Sequence, residues 1–466
     1  MKRDCFQLRD VTTNILLALV AAIPVACAIY YVNSFSVDVP YYDEWQLVPM
    51  IDRWFSGILT WRDLLKHHNE HAILVHRIIV LASASLAHWN IRIEYFLGVS
   101  FLAGYFAILS LYAAKAFENI SFRLCITLVI IPISICLFSL RQEASLIGFG
   151  LGSFSTNFFF VLSMFLLRYG GILSLLGAAA AAGLSSLCFS NGLIAWPVGL
   201  IVLWLLRPRA ERVLVIVIWI LFAALFIGLY LLDFHSSVAL HALQFNRIIL
   251  RMLGAMGANV ATAPEIIAAS GALQSSIAMA ILSGAILMVV SCSVLTMLIV
   301  RAQLRESAFS LSLVLFGWGS AAMLAIGRVD PVQQALADRY TTSTVIGVVG
   351  LILLTAELRD SMEANPKASP ETVSPLARYR GPGLPAFQSA LAAILVFVNL
   401  TAAVVEFPVA YYRRGNLNSW AQHVINYKSV SDSDLSNPHF PPNQIREWAA
   451  ILERYKLSTF SGRHVQ

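Results

Sequence analysis

Two adjacent carboxylates, Asp43 and Glu44, stand in the segment Val-Pro-Tyr-Tyr-Asp-Glu-Trp. A carboxylate at a low-dielectric boundary can act as a general base. It can equally open a helix, Asp43 as the cap and Glu44 favouring the dipole. About 25 residues on, the chain reads His67-His68-Asn69-Glu70-His71. The i, i+4 spacing of His67 and His71 could hold a divalent metal if the segment were helical, with Asp43 or Glu44 as a third ligand. Substrate binding, orientation of the base, or capping by Asn69 are the other uses of this cluster. Arginines form a third group. Arg247 and Arg251 lie four apart and share a helix face. Arg328 and Arg339 flank a later polar segment, Arg339 running into Tyr340. A guanidinium fork suits a phosphate, whether of a substrate or of surrounding headgroups. Tyr41, Tyr42, Trp45, Trp54 and Trp61 crowd the same early region, as an interfacial belt or as sugar-stacking faces.

The elements that position these residues follow from composition. Of 466 residues, 58% are apolar and only 12% charged, against roughly 25% charged in ordinary globular proteins. Mean hydropathy is +0.73. So few charges cannot cover a water-facing surface, which predicts an all-α polytopic membrane protein and excludes a cytosolic enzyme, a disordered chain or a disulfide-stapled module. Cysteines lie inside apolar runs or in the N-terminal tail, and no structural disulfide is expected. The net charge of +6 is scattered between apolar runs and points to topology rather than to a nucleic-acid partner.

Eleven spans are expected, near 13–33, 93–114, 122–140, 146–167, 171–189, 192–206, 213–232, 275–300, 308–326, 340–357 and 385–405. With the N-terminus inside, the inner loops hold 12 basic residues and the outer loops after the first hold 5. This orientation places loop 34–92 outside and makes Ala72–Ala87 an interfacial helix rather than a span. Within that loop, a helix is expected from Asp43-Glu44, and a second from the Thr60-x-x-Asp63 start signal. Asp330-Pro331 reads as a further helix start. Residues 358–384 read as a flexible inner loop, and 406–466 as a small outer cap carrying an amphipathic helix. The division is therefore a transmembrane domain over 1–405 and a cap over 406–466. The span interiors lack ionisable residues, which argues against an ion-coupled transporter.

A first span, an outer acidic pair, a histidine turn before an interfacial helix, and an arginine-tyrosine pair entering a late span together resemble the GT-C superfamily of membrane glycosyltransferases. The closer likeness is to its protein-mannosyltransferase-like and aminoarabinose-transferase-like bacterial branch. Asp43-Glu44, His68–His71 and Arg339-Tyr340 carry it, and His-Asn-Glu-His stands where that branch has a His-Pro-Pro-like turn. The resemblance implies a polyprenyl-phosphate sugar donor and an envelope glycan, lipid or protein acceptor. It further implies Asp43 as base, an outer arginine on the leaving phosphate, and residence in a bacterial inner membrane. Two alternatives stand beside it. One is a lipid or polysaccharide translocator, which needs a polar path beyond Asn157 and Asn191. The other is an O-antigen polymerase or ligase-like enzyme, which relies on late outer loops.

Overall fold

The computed structural model describes residues 2–232, 234, 245–260, 273–327, 337–364 and 383–462. Arg328, the Asp330-Pro331 start and most of the expected loop 358–384 lie outside them. Among the described residues the chain is almost wholly helical, its one sheet a two-stranded hairpin. Among the described residues eight helices are long and apolar enough to cross a membrane, as an all-α membrane protein requires.

Helix α1 (Lys2–Phe35) enters first. The loop beyond it carries α2 (Val48–Phe55), α3 (Trp61–Leu65), strands β1 (His67–His68) and β2 (His71–Ala72), and α4 (Leu74–Ala87). The Thr60 start signal is realised: Thr60 N and Oγ1 both donate to Asp63 Oδ2, at 2.8 and 2.7 Å. Helix α4 has 14 residues, about 21 Å, which is short of a 30 Å hydrocarbon core. It is held by its polar residues turned inward. His76 Nε2 lies 2.7 Å from Glu94 Oε2, and the Arg77 guanidinium donates to the carbonyls of Leu64 and Lys66.

The bundle continues with α5 (Ile91–Ala116) and α6 (Phe122–Cys125). A π-turn then leads into α7 (Ile131–Leu137), followed by α8 (Glu143–Leu146) and α9 (Leu151–Leu166). Next come α10 (Ile172–Ser186), α11 (Ala195–Leu206) and α12 (Arg209–Leu231). The expected spans at 146–167, 171–189 and 192–206 form these shorter apolar helices α9, α10 and α11. The expected 146–167 span starts late because residues 139–150 are irregular and mostly buried. Buried irregular backbone needs internal partners. Gln142 Nε2 donates to the carbonyls of Cys136 and Leu137, and Thr342 Oγ1 donates to Ser145 Oγ at 3.0 Å. A Cβ on Gly150 would sit 2.0 Å from the Ser145 carbonyl oxygen, so only glycine fits there.

Helix α13 (Phe245–Gly257) packs against α14 (Leu273–Val300), α15 (Ala308–Gly327) and α16 (Asp338–Ala364). Gly257 and Gly284 allow α13 and α14 to touch backbone to backbone, since a Cβ on either would meet a carbonyl oxygen at 1.8 Å. Asn259 Nδ2 ties this corner to Thr344 Oγ1 at 2.9 Å.

The final span departs from expectation. Helix α17 runs unbroken from Gly383 to Ile425, well past the expected end at 405. Its 43 residues would extend about 65 Å, twice a hydrocarbon core. The C-terminal part of α17 therefore belongs to the cap, with α18 (Pro442–Tyr455). The cap sits on the early loop. Tyr455 Oη lies 3.0 Å from Asp52 Oδ1, Trp448 stacks near Trp45 at 6.3 Å, and Ser458 N donates to the His88 carbonyl at 2.8 Å. The early loop, the hairpin and the cap thus share one end of the bundle.

Candidate functional site

The loop after α1 turns inward at Pro40 and forms a 3₁₀ turn over Tyr42–Leu47. Tyr42 holds a left-handed φ of 43°, unusual for a bulky residue. This turn sends the two adjacent carboxylates in different directions. Glu44 goes inward and is 1% exposed. Its Oε2 accepts the Tyr41 N–H at 2.7 Å, and its Oε1 accepts the Tyr95 hydroxyl at 3.2 Å. Capping therefore falls to Glu44, with Tyr41 as the cap position. The capping alternative considered for Asp43 is thereby ruled out for this turn. Burial, reinforced by the nearby Glu94 charge, pushes the Glu44 carboxyl well above the usual carboxylate range. Buried, and with both oxygens accepting protein donors, Glu44 is placed for structure rather than for contact with a substrate.

Asp43 points to the surface, with 38% of its side chain exposed. His68 Nε2 lies 3.6 Å from Asp43 Oδ2. Polar interaction with His68 is the main cause holding the Asp43 carboxyl below its usual range, against the opposing effect of partial burial. The charges of His68, His439 and Arg339 add to the lowering. Asp43, His68, Arg339 and His439 therefore share one electrostatic neighbourhood, drawn from the early loop, the hairpin, the start of α16 and the cap.

The histidine segment is a hairpin, not a helix. His68 pairs with His71 across it, and Asn69 takes the left-handed turn position at φ 54°. The i, i+4 metal geometry expected of His67 and His71 is lost, because a strand presents successive side chains to opposite faces. His67 meets the rings of Tyr230 and Phe234. His71 stacks on Phe189 at 4.1 Å, its Nδ1 2.9 Å from Ser190 Oγ. His68 is buried against Phe149 at 5.1 Å. Among the described residues, no group of three or more His, Cys, Asp or Glu could hold a metal ion. The Glu70 carbonyl accepts from Tyr230 Oη, which fixes the hairpin to α12.

Arg339 is exposed near the start of α16, its guanidinium 5.1 Å from the Tyr340 ring. Arg247 and Arg251 share α13 but not an environment: Arg247 is exposed and Arg251 is 2% exposed. The arginine fork expected of that pair is therefore divided by the packing of α13.

Three features escaped sequence reasoning. His439, from the cap, acts on Asp43 through its charge, and its ring meets Tyr42 at 5.1 Å. Arg141, read only as a topology charge, is buried in the irregular 139–150 segment. That segment underlies the site: Phe149 carries His68, and a Cβ on Gly148 would reach Tyr41 at 4.0 Å. The third feature is a cavity of about 370 Å³ between the early loop and α17. Tyr41, Tyr42, Tyr412 and Trp420 supply aromatic faces, and Arg413, Asn416 and Asn437 supply polar groups. Only Tyr41 and Tyr42 were singled out in the sequence. Tyr42, on the cavity wall, directly precedes Asp43, and Pro438, also on the wall, directly precedes His439.

Asn157 and Asn191 are spent on packing. Asn157 Nδ2 donates to the Thr342 carbonyl at 2.7 Å, and Asn191 Nδ2 to Ser320 Oγ at 3.2 Å. Comparisons with protein-family models, curated proteins and solved structures return no match.

Proposed function

We propose that this chain is a membrane glycosyltransferase that moves a sugar from a polyprenyl phosphate to a hydroxyl of an envelope glycan, lipid or protein. The observation that carries the reading is an ionised, half-exposed Asp43 that lies 3.6 Å from His68 and under the charges of His439 and Arg339, next in the chain to Tyr42 on the wall of an aromatic, amide-lined cavity. Aromatic faces and amides are the groups that bind sugars, through stacking and hydrogen bonds to hydroxyls. A guanidinium at headgroup depth suits a lipid phosphate.

In this reading the acceptor hydroxyl approaches the anomeric carbon of the donor. A bond forms from the acceptor oxygen to that carbon as the bond from carbon to phosphate oxygen breaks. The polyprenyl phosphate leaves with the electron pair, its charge met by Arg339. The hydroxyl proton passes to Asp43. A carboxylate with a lowered pKa is a weak base but is always ionised at neutral pH, so it accepts the proton late, as positive charge builds on the sugar. His68 is a positioning residue that holds the carboxylate. The cavity beside Tyr42 takes the acceptor. In this reading the hairpin end faces the outside of a bacterial inner membrane and the N-terminus lies in the cytoplasm, an orientation that the 12-to-5 basic bias supports.

The test is transfer from a polyprenyl-phosphate sugar in proteoliposomes. Asp43→Asn is expected to remove transfer while the protein remains folded in the membrane. Full activity in that variant returns Asp43 to the status of a surface carboxylate. Movement of donor lipid between leaflets without transfer supports a translocator instead.

A further inference from the structure

At the opposite end of the bundle, a second cavity of about 430 Å³ is lined by Lys115, Arg168, Tyr169, Leu206, Arg305 and Glu306. Three cations face one carboxylate. None of these four charged residues makes an ion pair within 4.0 Å among the described residues. We propose that this cavity binds the phosphate headgroup of an anionic membrane lipid.

Helix ends build it. Lys115 lies in the last turn of α5, Arg168 follows the end of α9, and Leu206 ends α11. Cations at helix C-termini offset the dipole, and that is the competing structural role. It accounts for only part of what is present. The carbonyls of Leu167 and Tyr169 are already served by Arg207, which lies outside the cavity lining. Arg305 gives one nitrogen to the Leu206 carbonyl at 3.3 Å, leaving the rest of its fork. The Arg168 guanidinium lies 4.4 Å from the Tyr112 ring, a contact that leaves its N–H edge for an anion. Lys115 is exposed. Beneath them, Ser310 and Tyr112 both donate to Glu357 Oε1, and the Arg168 charge also acts on this carboxylate, which leaves Lys115 and Arg305 as the cations least occupied by protein groups.

The volume suits a lipid headgroup, and the position suits the end of a bilayer-spanning bundle. On the positive-inside reading this end meets the cytoplasmic leaflet, where anionic lipids concentrate. The proposal does not depend on the transfer reaction, because its readout is lipid binding.

The experiment titrates the purified full chain in detergent with phosphatidylglycerol, phosphatidylcholine, glycerol phosphate and inorganic phosphate. Lipid retention is read by native mass spectrometry and stabilisation by thermal unfolding. Phosphatidylglycerol is expected to bind and stabilise, and phosphatidylcholine is not. Affinity should fall roughly fivefold for each cation removed in Lys115→Gln, Arg168→Gln and Arg305→Gln. Arg168 and Arg305 also touch protein groups, so Lys115→Glu serves as the variant that leaves packing intact, and it should weaken phosphatidylglycerol more than Lys115→Gln does. Equal binding of phosphatidylcholine, or unchanged phosphatidylglycerol binding in Lys115→Glu, overturns the proposal. Glycerol phosphate or inorganic phosphate binding as well as the lipid overturns the lipid assignment in favour of a soluble anion.

Discussion

The two ends of the helix bundle are built by different rules. At the hairpin end the backbone is irregular. Tyr42, Asn69, His88, Trp89, Lys456 and Ser458 all take left-handed conformations there, and the early loop is clasped by the cap. At the other end, Ala302 alone among the described non-glycine residues does so, and the chain mostly passes from helix to helix by short turns. Left-handed bulky residues persist only where surrounding contacts over-determine them, and they cluster at functional sites. The charges differ as well. At the hairpin end carboxylates are paired with cations, Asp43 with His68, Asp63 with Arg53 and Asp52 with Arg454, whereas the opposite end gathers cations against helix C-termini. Irregular backbone can bring side chains from distant segments to one point. Helix ends can present only what the local sequence supplies. The first arrangement suits positioning for a reaction, and the second suits holding a charge.

The largest expected effect breaks the symmetry between neighbours within the hairpin end. Asp43→Asn should lower transfer by roughly 10²–10⁴-fold, the usual loss for a general base. Glu44→Gln should keep transfer near the wild-type rate, because Glu44 is buried away from the surface and the amide oxygen can still accept the Tyr41 N–H. Rates for both variants in one assay check the pair, and a loss confined to Glu44→Gln would invert the assignment.

Next in size, Arg339→Ala should weaken use of the lipid donor roughly ten- to hundredfold, the scale of a hydrogen bond to a charged group. Lysine should recover little of this, since it lacks the planar fork. Donor-concentration curves for Arg339→Ala and Arg339→Lys test it, and full rescue by lysine marks Arg339 as a headgroup anchor. Tyr412 is 71% exposed on the cavity wall, so its removal leaves no hole in the core. Tyr412→Ala should raise the acceptor KM about three- to tenfold, as loss of one stacking contact does, without moving the unfolding temperature.

The smallest effect is a shift of pH. The Asp43 carboxyl is lowered, so its charged form is present above the usual carboxylate range and is lost only as pH falls through the lowered value. The acid limb of transfer should therefore lie below that range. His68 is the main cause of the lowering, so His68→Gln should move the acid limb upward. An unmoved limb in the pH–rate profile separates His68 from Asp43.

Much of this architecture is legible in the sequence, because apolar runs and a T-x-x-D cap are local signals. The site is less so. Adjacency of Asp43 and Glu44 gives no hint that a 3₁₀ turn buries one and exposes the other. The i, i+4 histidines could share a metal only on a helix, and Asn69 is a residue type that tolerates the left-handed turn of the hairpin found instead. His439 and Trp420 carry no local signal at all. They matter only because α17 continues past the expected end of its span and folds the cap onto the early loop.

The central claim is that the lipid-phosphate sugar binds at the hairpin end and not at the basic end. Photo-crosslinking of a diazirine-bearing polyprenyl-phosphate sugar to the purified chain, with mapping of labelled peptides, tests it most directly. Label is expected on the segment around Tyr41–Glu44, at Arg339-Tyr340 and on the cavity wall near Tyr412. Label confined to the peptides of Lys115, Arg168 and Arg305 would contradict it.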